Sequence, residues 1–158
     1  MVIYRDGGEV AGRSLPYTTL KPDGSDNPED LWQELQSIHD RTGADMLAIA
    51  HNGNLSNGIM FPLVDSFSGK KISKKYAQTR MKWEPLYEIT QIKGDGEAHP
   101  FLSPNDEFAD YETWDMGNLT LTEVKQDDML QYEYGRSGLK LGLQLEQKIG
   151  ANPYQFGF

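Results

Sequence analysis

The chain has 158 residues, of which 24 are Asp or Glu, 15 are Lys or Arg and none is Cys. The formal charge of -9 argues against a nucleic-acid-binding protein, because phosphate backbones are bound by clusters of Lys and Arg. The absence of Cys excludes a thiolate metal site and a Cys nucleophile, so any metal would be bound by His, carboxylate or amide groups. The apolar runs are far shorter than the roughly 20 residues of a membrane-spanning helix, and the first residues lack the pattern of a signal peptide.

The first third of the chain contains one half of a βαβ unit. A short strand is predicted at residues 2–4, where β-branched and aromatic residues precede a turn. After a loop rich in Pro and Gly, a helix should begin behind Asn27 as its N-cap, because Pro28 suits the first helical position. The helix should end at Gly43, which suits a left-handed cap. The apolar run at residues 46–50 then has the pattern of a strand that is buried on both faces.

The rest of the chain continues this alternation. We predict a basic helix at 73–83, an apolar strand at 86–92, an acidic helix at 105–112 capped by Ser103, a long helical stretch at 126–149 and a last strand at 153–158. Alternating helices and apolar strands favour an α/β fold of βα units with a parallel sheet. We expect residues 1–158 to form a single α/β segment.

A polar loop, residues 51–58, follows the strand at 46–50. In parallel α/β proteins ligands bind at the carboxyl ends of the strands, where such loops converge. His51 comes directly after the strand, where an imidazole can act as a metal ligand or as a general acid or base near neutral pH. A packing or capping histidine is the alternative. The neighbouring Asn52, Asn54 and Asn57 strengthen the functional reading without deciding between the two.

A second polar loop, residues 93–100, follows the predicted strand at 86–92. Asp95, Glu97 and His99 are possible oxygen or nitrogen ligands within five positions of the sequence, and zinc or manganese would accept such a mixture. The spacing matches no strong motif, so a solvated loop is the alternative. Glu88 lies within the predicted strand, where burial of an unpaired carboxylate costs several kcal/mol, so we expect it to be exposed or functional.

Three segments carry a family resemblance: residues 49–58, 84–100 and 134–140. They resemble the bacterial family catalogued as domain of unknown function 3604. That family is similar to a branch of the polymerase-and-histidinol-phosphatase (PHP) superfamily of metal-dependent hydrolases. The resemblance implies a distorted β/α barrel with zinc or manganese ions at the carboxyl ends of its strands. It further implies that His51 is a metal ligand and that either Glu97 or His99 is another.

The chain also departs from the pattern of this family. Full-length relatives carry a His-x-His pair near their start, an Asp-His soon after it, and an Asp-x-His just past the strand that ends here at Phe158. None of these motifs is present in the chain. The resemblance therefore implies an internal to late portion of a PHP-like barrel. The metal site of such a portion would be incomplete, so it would be inactive in isolation.

The resemblance implies a fragment of a metal-dependent, phosphoesterase-like hydrolase whose substrate is a small anionic ester. Asn52, Asn54 and Asn57 would contact the substrate, and Lys93 and Arg136 would bind its anionic group. A different hypothesis is a non-catalytic α/β module that binds a polar ligand such as a sugar through the Asn-rich loop. Self-association through the unpaired edges of an open sheet is a third expectation. Neither the bacterial cytoplasm nor the periplasm is favoured.

Overall fold

The computed structural model describes residues 1–22 and 24–158. Its elements, in chain order, are β1 (Val2–Tyr4), α1 (Gly8–Ala11), α2 (Pro28–Thr42), β2 (Met46–Ala50), α3 (Lys74–Trp83), β3 (Leu86–Tyr87), β4 (Thr90–Gln91), β5 (Gly94–Asp95) and α4 (Gly135–Ile149). Two 3-10 turns lie at Gly53–Leu55 and Asp127–Tyr132. The fold is therefore mixed α/β, as the alternation of helices and strands predicts.

The sheet has three strands in the order β1-β2-β3. Strand β1 runs antiparallel to β2, with Val2 opposite Ala48. Strand β3 runs parallel to β2, with Ile49 opposite Leu86, and a further parallel bridge joins Leu86 to Gly157. Strands β4 and β5 form a separate antiparallel pair. The described residues thus contain one parallel strand pair and no closed barrel, so the PHP-like barrel is not confirmed.

Helix α2 has the bounds that its sequence predicts. The Asn27 side chain accepts a hydrogen bond from the backbone N–H of Glu29 at 3.0 Å, and Pro28 occupies the first turn. Gly43 ends the helix in the left-handed region, with φ of 73°. Its buried face packs Trp32, Leu35 and Ile38 into the core. These local signals determine where α2 begins and ends, and therefore where the chain can begin β2.

The core beneath the sheet is strongly aromatic. Phe61 is fully buried and lies 5.1 Å from Tyr87, 5.2 Å from Tyr154 and 5.3 Å from Phe156, measured between ring centroids. The guanidinium of Arg80 lies 4.8 Å from the centroid of the Tyr154 ring. Truncation of a buried Phe typically costs about 3–5 kcal/mol, so this cluster is a large part of the folding free energy. It also fixes β3 against α4 and the C-terminal bridge.

The predicted strand at 86–92 is wrong in its extent. Regular pairing with β2 ends at Tyr87, and the chain then turns into the β4–β5 pair. Gly94 is left-handed, with φ of 114°, and the backbone N–H of Gly96 donates to the carbonyl of Ile89 at 2.6 Å. The periodicity of the apolar residues hides this turn, because Gly94 can adopt a backbone conformation that side chains disfavour.

The predicted acidic helix at 105–112 is also wrong, since the structure has only turns there. The backbone N–H of Asp106 donates to Ser103 and that of Ala109 donates to Asp106, so each bond spans three residues and none propagates into a helix. Carboxylates three and four residues apart repel each other on a helix, which accounts for the failure. The side chain of Asp106 accepts from the backbone N–H of Phe108 at 3.0 Å and from Arg136, so it stabilises a local turn.

Three further predictions have mixed outcomes. Helix α3 is confirmed, and Ser73 caps it by accepting from the backbone N–H of Tyr76 at 3.1 Å. The prediction of one long helical stretch at 126–149 is wrong. A 3-10 turn (Asp127–Tyr132) comes first, the helical backbone is interrupted at Glu133, and α4 follows. The last strand reduces to the single bridge at Gly157.

In the described part of the chain, no helix is long and apolar enough to cross a membrane.

Candidate functional site

A histidine and a glutamate meet at the carboxyl end of the parallel strand pair. The register pairs Ile49 with Leu86 and Ala50 with Tyr87, so His51 and Glu88 are the next residues in the same row. Their side chains are joined by a hydrogen bond of 2.6 Å between Nδ1 and Oε2. The same Oε2 accepts from the backbone N–H of Asn52 at 3.2 Å. Glu88 is therefore paired, which resolves the cost of placing a carboxylate within this strand.

This pair leaves one nitrogen of His51 available. Because the carboxylate oxygens of Glu88 accept hydrogen bonds, Nδ1 carries the proton in the neutral imidazole and Nε2 keeps its lone pair. Nε2 has no hydrogen-bond partner in the part of the chain that the structure describes. The His51 side chain is 52% exposed and that of Glu88 is 25% exposed. A carboxylate on Nδ1 is the arrangement that orients an imidazole for proton transfer or for metal binding through Nε2.

His51 lines a cavity of about 270 Å³. One wall is the start of α2, with Asn27 and Pro28, and another carries the apolar side chains of Ile59 and Met60. The N-cap of α2 and a half-exposed imidazole thus border the same space. A cavity of this size holds a small molecule.

The charges that line the cavity are mainly acidic. Asp26, Asp65 and Glu84 contribute carboxylates, and Arg80 contributes a guanidinium. Arg80 is 7% exposed, lies 3.4 Å from Glu84 through Nε, and donates to the carbonyl of Met60 at 2.8 Å. Its positive charge is therefore already balanced within the protein. A neutral or cationic ligand suits this lining better than an anion does.

Asp65 closes a turn at the edge of the cavity. Its Oδ1 accepts from the backbone N–H of Phe67 at 2.8 Å, and its Oδ2 accepts from the Ser68 hydroxyl at 2.7 Å. Burial raises the pKa of this carboxyl, but these hydrogen bonds and that of nearby Glu29 outweigh burial, so the pKa of Asp65 is lowered. Burial and the proximity of Asp65 raise the pKa of Glu29. The two carboxyls therefore differ in their affinity for a proton.

The predicted ligand Glu97 forms an ion pair. Its Oε1 accepts from Arg136 Nε at 2.9 Å and from Nη2 at 2.7 Å, while Arg136 Nη1 donates to Asp106 at 2.5 Å. The hydrogen bond from Arg136 lowers the pKa of Asp106, and the two carboxylates raise the pKa of Arg136. The predicted anion-binding residue Arg136 thus bridges two carboxylates at the start of α4.

The predicted ligand His99 is buried, with 7% of its surface exposed. Its Nδ1 accepts from the backbone N–H of Phe101 at 3.1 Å, and its Nε2 lies 2.9 Å from Asp115 Oδ1. Since Nδ1 is the acceptor, Nε2 carries the proton and donates it to Asp115. Both ring nitrogens are in use, and the ring packs against Tyr134 at 5.2 Å between centroids.

The structure does not gather His51, Glu97 and His99 into one metal site. Within residues 1–22 and 24–158, no group of three or more His, Cys, Asp or Glu side chains is placed to hold a metal ion. Each of the three predicted ligands instead bonds to a different partner: Glu88, Arg136 or Asp115. The residues described do not fit a zinc or manganese centre with three protein ligands, and metal binding stays a prediction.

Two of the three predicted substrate contacts in the Asn-rich loop, Asn54 and Asn57, form side-chain hydrogen bonds with other parts of the chain. Asn54 is 2% exposed, donates to the carbonyl of Lys93 at 3.2 Å and accepts from Gln91 at 3.3 Å. Asn57 donates to the carbonyl of Glu123 at 3.2 Å. Asn52 is left-handed with φ of 60°, a conformation that Asn tolerates better than most residues. The amides of Asn54 and Asn57 therefore connect the loop to neighbouring segments. Their role in substrate binding, like that of half-buried Lys93, stays a prediction.

A buried ion pair behind the Asn-rich loop is absent from the sequence predictions. Lys125 Nζ lies 2.5 Å from Glu133 Oε2, and these side chains are 3% and 0% exposed. The same ammonium donates to the carbonyl of Asn54 at 3.0 Å, which secures the loop after β2. The pKa of Glu133 is raised, because the effect of burial outweighs the opposing effect of the nearby Lys125 ammonium.

Comparison with known proteins gives one match. The family described as "Protein of unknown function (DUF3604)" matches residues 1–158, the whole length of the chain. No curated protein and no solved structure matches it. The match supports the family resemblance of the three segments and says nothing about chemistry.

Proposed function

The chain belongs to the DUF3604 family, and on this premise we propose that it hydrolyses a small ester, with His51 as the general base. This proposal differs from the inactivity expected of an isolated portion of a PHP-like barrel, because the proposed reaction needs no metal. The observation that carries the proposal is the hydrogen bond of 2.6 Å between His51 Nδ1 and Glu88 Oε2 beside the cavity of about 270 Å³. In the neutral imidazole this bond places the proton on Nδ1 and leaves the lone pair on Nε2, in a side chain that is 52% exposed. The resemblance of the sequence to the PHP-like hydrolases supports the same class of reaction.

The proposed reaction uses a water molecule as the nucleophile. His51 Nε2 takes a proton from water as the water oxygen bonds to the ester carbon or phosphorus. Glu88 stabilises the resulting imidazolium, because its carboxylate is hydrogen-bonded to Nδ1. The bond to the leaving alcohol then breaks, and the proton passes from Nε2 to the departing alkoxide. A positioned base of this kind contributes about 10²- to 10⁴-fold in rate.

The lining of the cavity argues for a neutral ester. An anionic ester was expected from the family resemblance, but the carboxylates of Asp26, Asp65 and Glu84 outnumber the guanidinium of Arg80. Metal assistance stays a separate proposal. His51 Nε2 is the donor that a metal would use, yet Glu97 and His99 are bonded elsewhere, so no step of the reaction is assigned to a metal.

A binding module without catalysis is the second candidate, and the composition of the cavity favours it. The hydroxyls of Ser56 and Ser66 and the carboxylate of Asp26 face the same space as the rings of Phe67 and Tyr76. Hydrogen-bonding groups beside aromatic rings are suited to a neutral polyol such as a sugar. In this case His51 would bind the ligand and transfer no proton.

The experiment compares hydrolysis of p-nitrophenyl acetate, which is neutral, with that of p-nitrophenyl phosphate. We expect measurable hydrolysis of the acetate and a 10²- to 10⁴-fold loss in kcat/KM for His51→Gln. His39→Gln is the matched control, because His39 is exposed on α2 and its Nδ1 bonds to the backbone carbonyl of Ala44. Equal rates for both variants and the unmodified chain would contradict the proposal. Saturable sugar binding without hydrolysis would favour the binding module instead.

A further inference from the structure

Charge is divided unevenly between two surface segments of the chain. Residues 100–128, named the acidic strap, carry eight Asp or Glu residues and one Lys. Residues 70–82, named the lysine face, carry five Lys, one Arg and no acidic residue. All five lysines of the lysine face are exposed, whereas the one lysine of the strap is buried. The strap therefore presents strong negative charge and the lysine face presents positive charge.

The acidic strap also exposes apolar side chains. Seven of them are more than half exposed: Phe101, Phe108, Tyr111, Met116, Leu119, Leu121 and Val124. Phe108 is the most exposed of these at 77%, and it lies between the acidic residues Glu107 and Asp110. A concentration of exposed apolar side chains among polar ones marks a surface that contacts another molecule.

The strap is held against the rest of the protein at several points. Arg136 binds Asp106, the carbonyl of Glu112 accepts from the backbone N–H of Asp95 at 3.0 Å, and the backbone N–H of Leu119 donates to Leu55 at 3.1 Å. The apolar side chains between these points are therefore presented outward from an anchored backbone. Because the backbone is already anchored, less conformational entropy is lost when the strap binds a partner.

The lysine face contains a cavity of about 300 Å³. Three lysines, Lys70, Lys71 and Lys75, and two carboxylates, Glu29 and Asp65, line it, and the buried side chains of Ile72 and Tyr76 contribute apolar surface. The lysines outnumber the carboxylates in this lining, so the cavity, with its apolar interior, suits an aromatic side chain that has carboxylates on either side. Phe108, with Glu107 and Asp110 as its neighbours, has this composition.

We propose that the acidic strap of one copy docks on the lysine face of a second copy, with Phe108 in the cavity and Glu107 and Asp110 against the lysines. The two surfaces differ, so the contact is heterologous and joins copies head to tail. Two chains that each carry a net charge of -9 repel each other. The local attraction between the strap and the lysine face must exceed this repulsion. This contact involves side chains rather than the sheet edges that the sequence suggested for self-association.

The test is sedimentation of the purified chain at two ionic strengths. We expect a concentration-dependent rise above the monomer mass of 17.9 kDa at about 0.01 M salt and a return to it at about 1 M salt, where the screening length falls from about 30 Å to 3 Å. Two charge-reversal variants each change one side of the contact. Lys70→Glu/Lys71→Glu changes the lysine face, and Glu107→Lys/Asp110→Lys changes the acidic strap. Each should be monomeric alone, and association should return when the two are mixed.

Matched controls separate the contact from general charge effects. Lys140→Glu/Lys148→Glu changes the net charge by the same amount as the lysine-face variant, at exposed positions of α4, and should still associate weakly at low salt. Phe108→Ser should weaken association at least tenfold, whereas Ile92→Ser, at a position that is 99% exposed, should not. An unmodified chain that stays monomeric at low salt would overturn the proposal. Association that survives both charge reversals would overturn it as well.

Discussion

Replacing Glu133 by Gln tests whether the buried ion pair secures the loop that follows β2. Lys125 Nζ lies 2.5 Å from Glu133 Oε2, and both side chains are almost fully buried. Gln keeps the shape of Glu but removes its charge, so the ammonium of Lys125 stays in the core without a counter-ion. The same ammonium bonds to the carbonyl of Asn54, so the loop behind His51 loses order as well.

The expected loss in the free energy of unfolding is about 3–5 kcal/mol, the usual cost of removing one partner from a buried pair. In a chain of this length, each kcal/mol corresponds to roughly 2–4 °C in Tm, so Tm should fall by about 6–20 °C. Arg5→Met is the control, because Arg5 and Asp45 form a surface pair whose side chains are 84% and 62% exposed. That substitution should cost less than about 1 kcal/mol.

Urea unfolding at pH 7, followed by circular dichroism, measures both variants. The double replacement Lys125→Met/Glu133→Leu provides the decisive comparison, because it removes both charges and leaves apolar side chains of similar volume. We expect it to recover most of the stability that Glu133→Gln loses. A loss from Glu133→Gln no larger than that from Arg5→Met would refute the role assigned to the pair.

Two further outcomes are expected. The lowered pKa of Asp65 stabilises the folded chain fully above the unfolded value of about 3.9, and this contribution is lost as pH falls through the lower folded value. The stability difference between the unmodified chain and Asp65→Asn should therefore be largest at pH 7 and shrink below about pH 4, and a pH-independent difference in urea midpoints would be inconsistent with this. Because His51, Glu97 and His99 are bonded to separate partners, the chain dialysed with zinc or manganese should retain less than one equivalent of metal. One equivalent that is lost in His51→Ala would contradict this reading.

Local signals made some elements predictable from the sequence. Asn27, Pro28 and Gly43 determine the bounds of α2 because capping depends on residues close in sequence. The run at 46–50 is apolar enough to be a strand in almost any context, and it forms β2. Placement of His51 at the carboxyl end of β2 follows directly from these two elements.

Pairings between distant residues were not predictable in the same way. The bond from His51 to Glu88 depends on the parallel register of β2 and β3, which no local pattern specifies. The strand predicted through residue 92 concealed the turn that places Glu88 just beyond the paired residues. Glu97 and His99 do not form a common ligand set, because Glu97 is bound by Arg136 and His99 is bonded to Asp115.

The most direct test of the central claim is a double-mutant cycle on kcat/KM for p-nitrophenyl acetate. If Glu88 acts only by orienting His51 and stabilising its imidazolium, Glu88→Gln should lower the rate in the unmodified chain and have no further effect in His51→Gln. The double variant should then match His51→Gln within a factor of about two. Losses that multiply, with each substitution acting as fully in the other's background as alone, would contradict the assignment of the two residues to one catalytic unit.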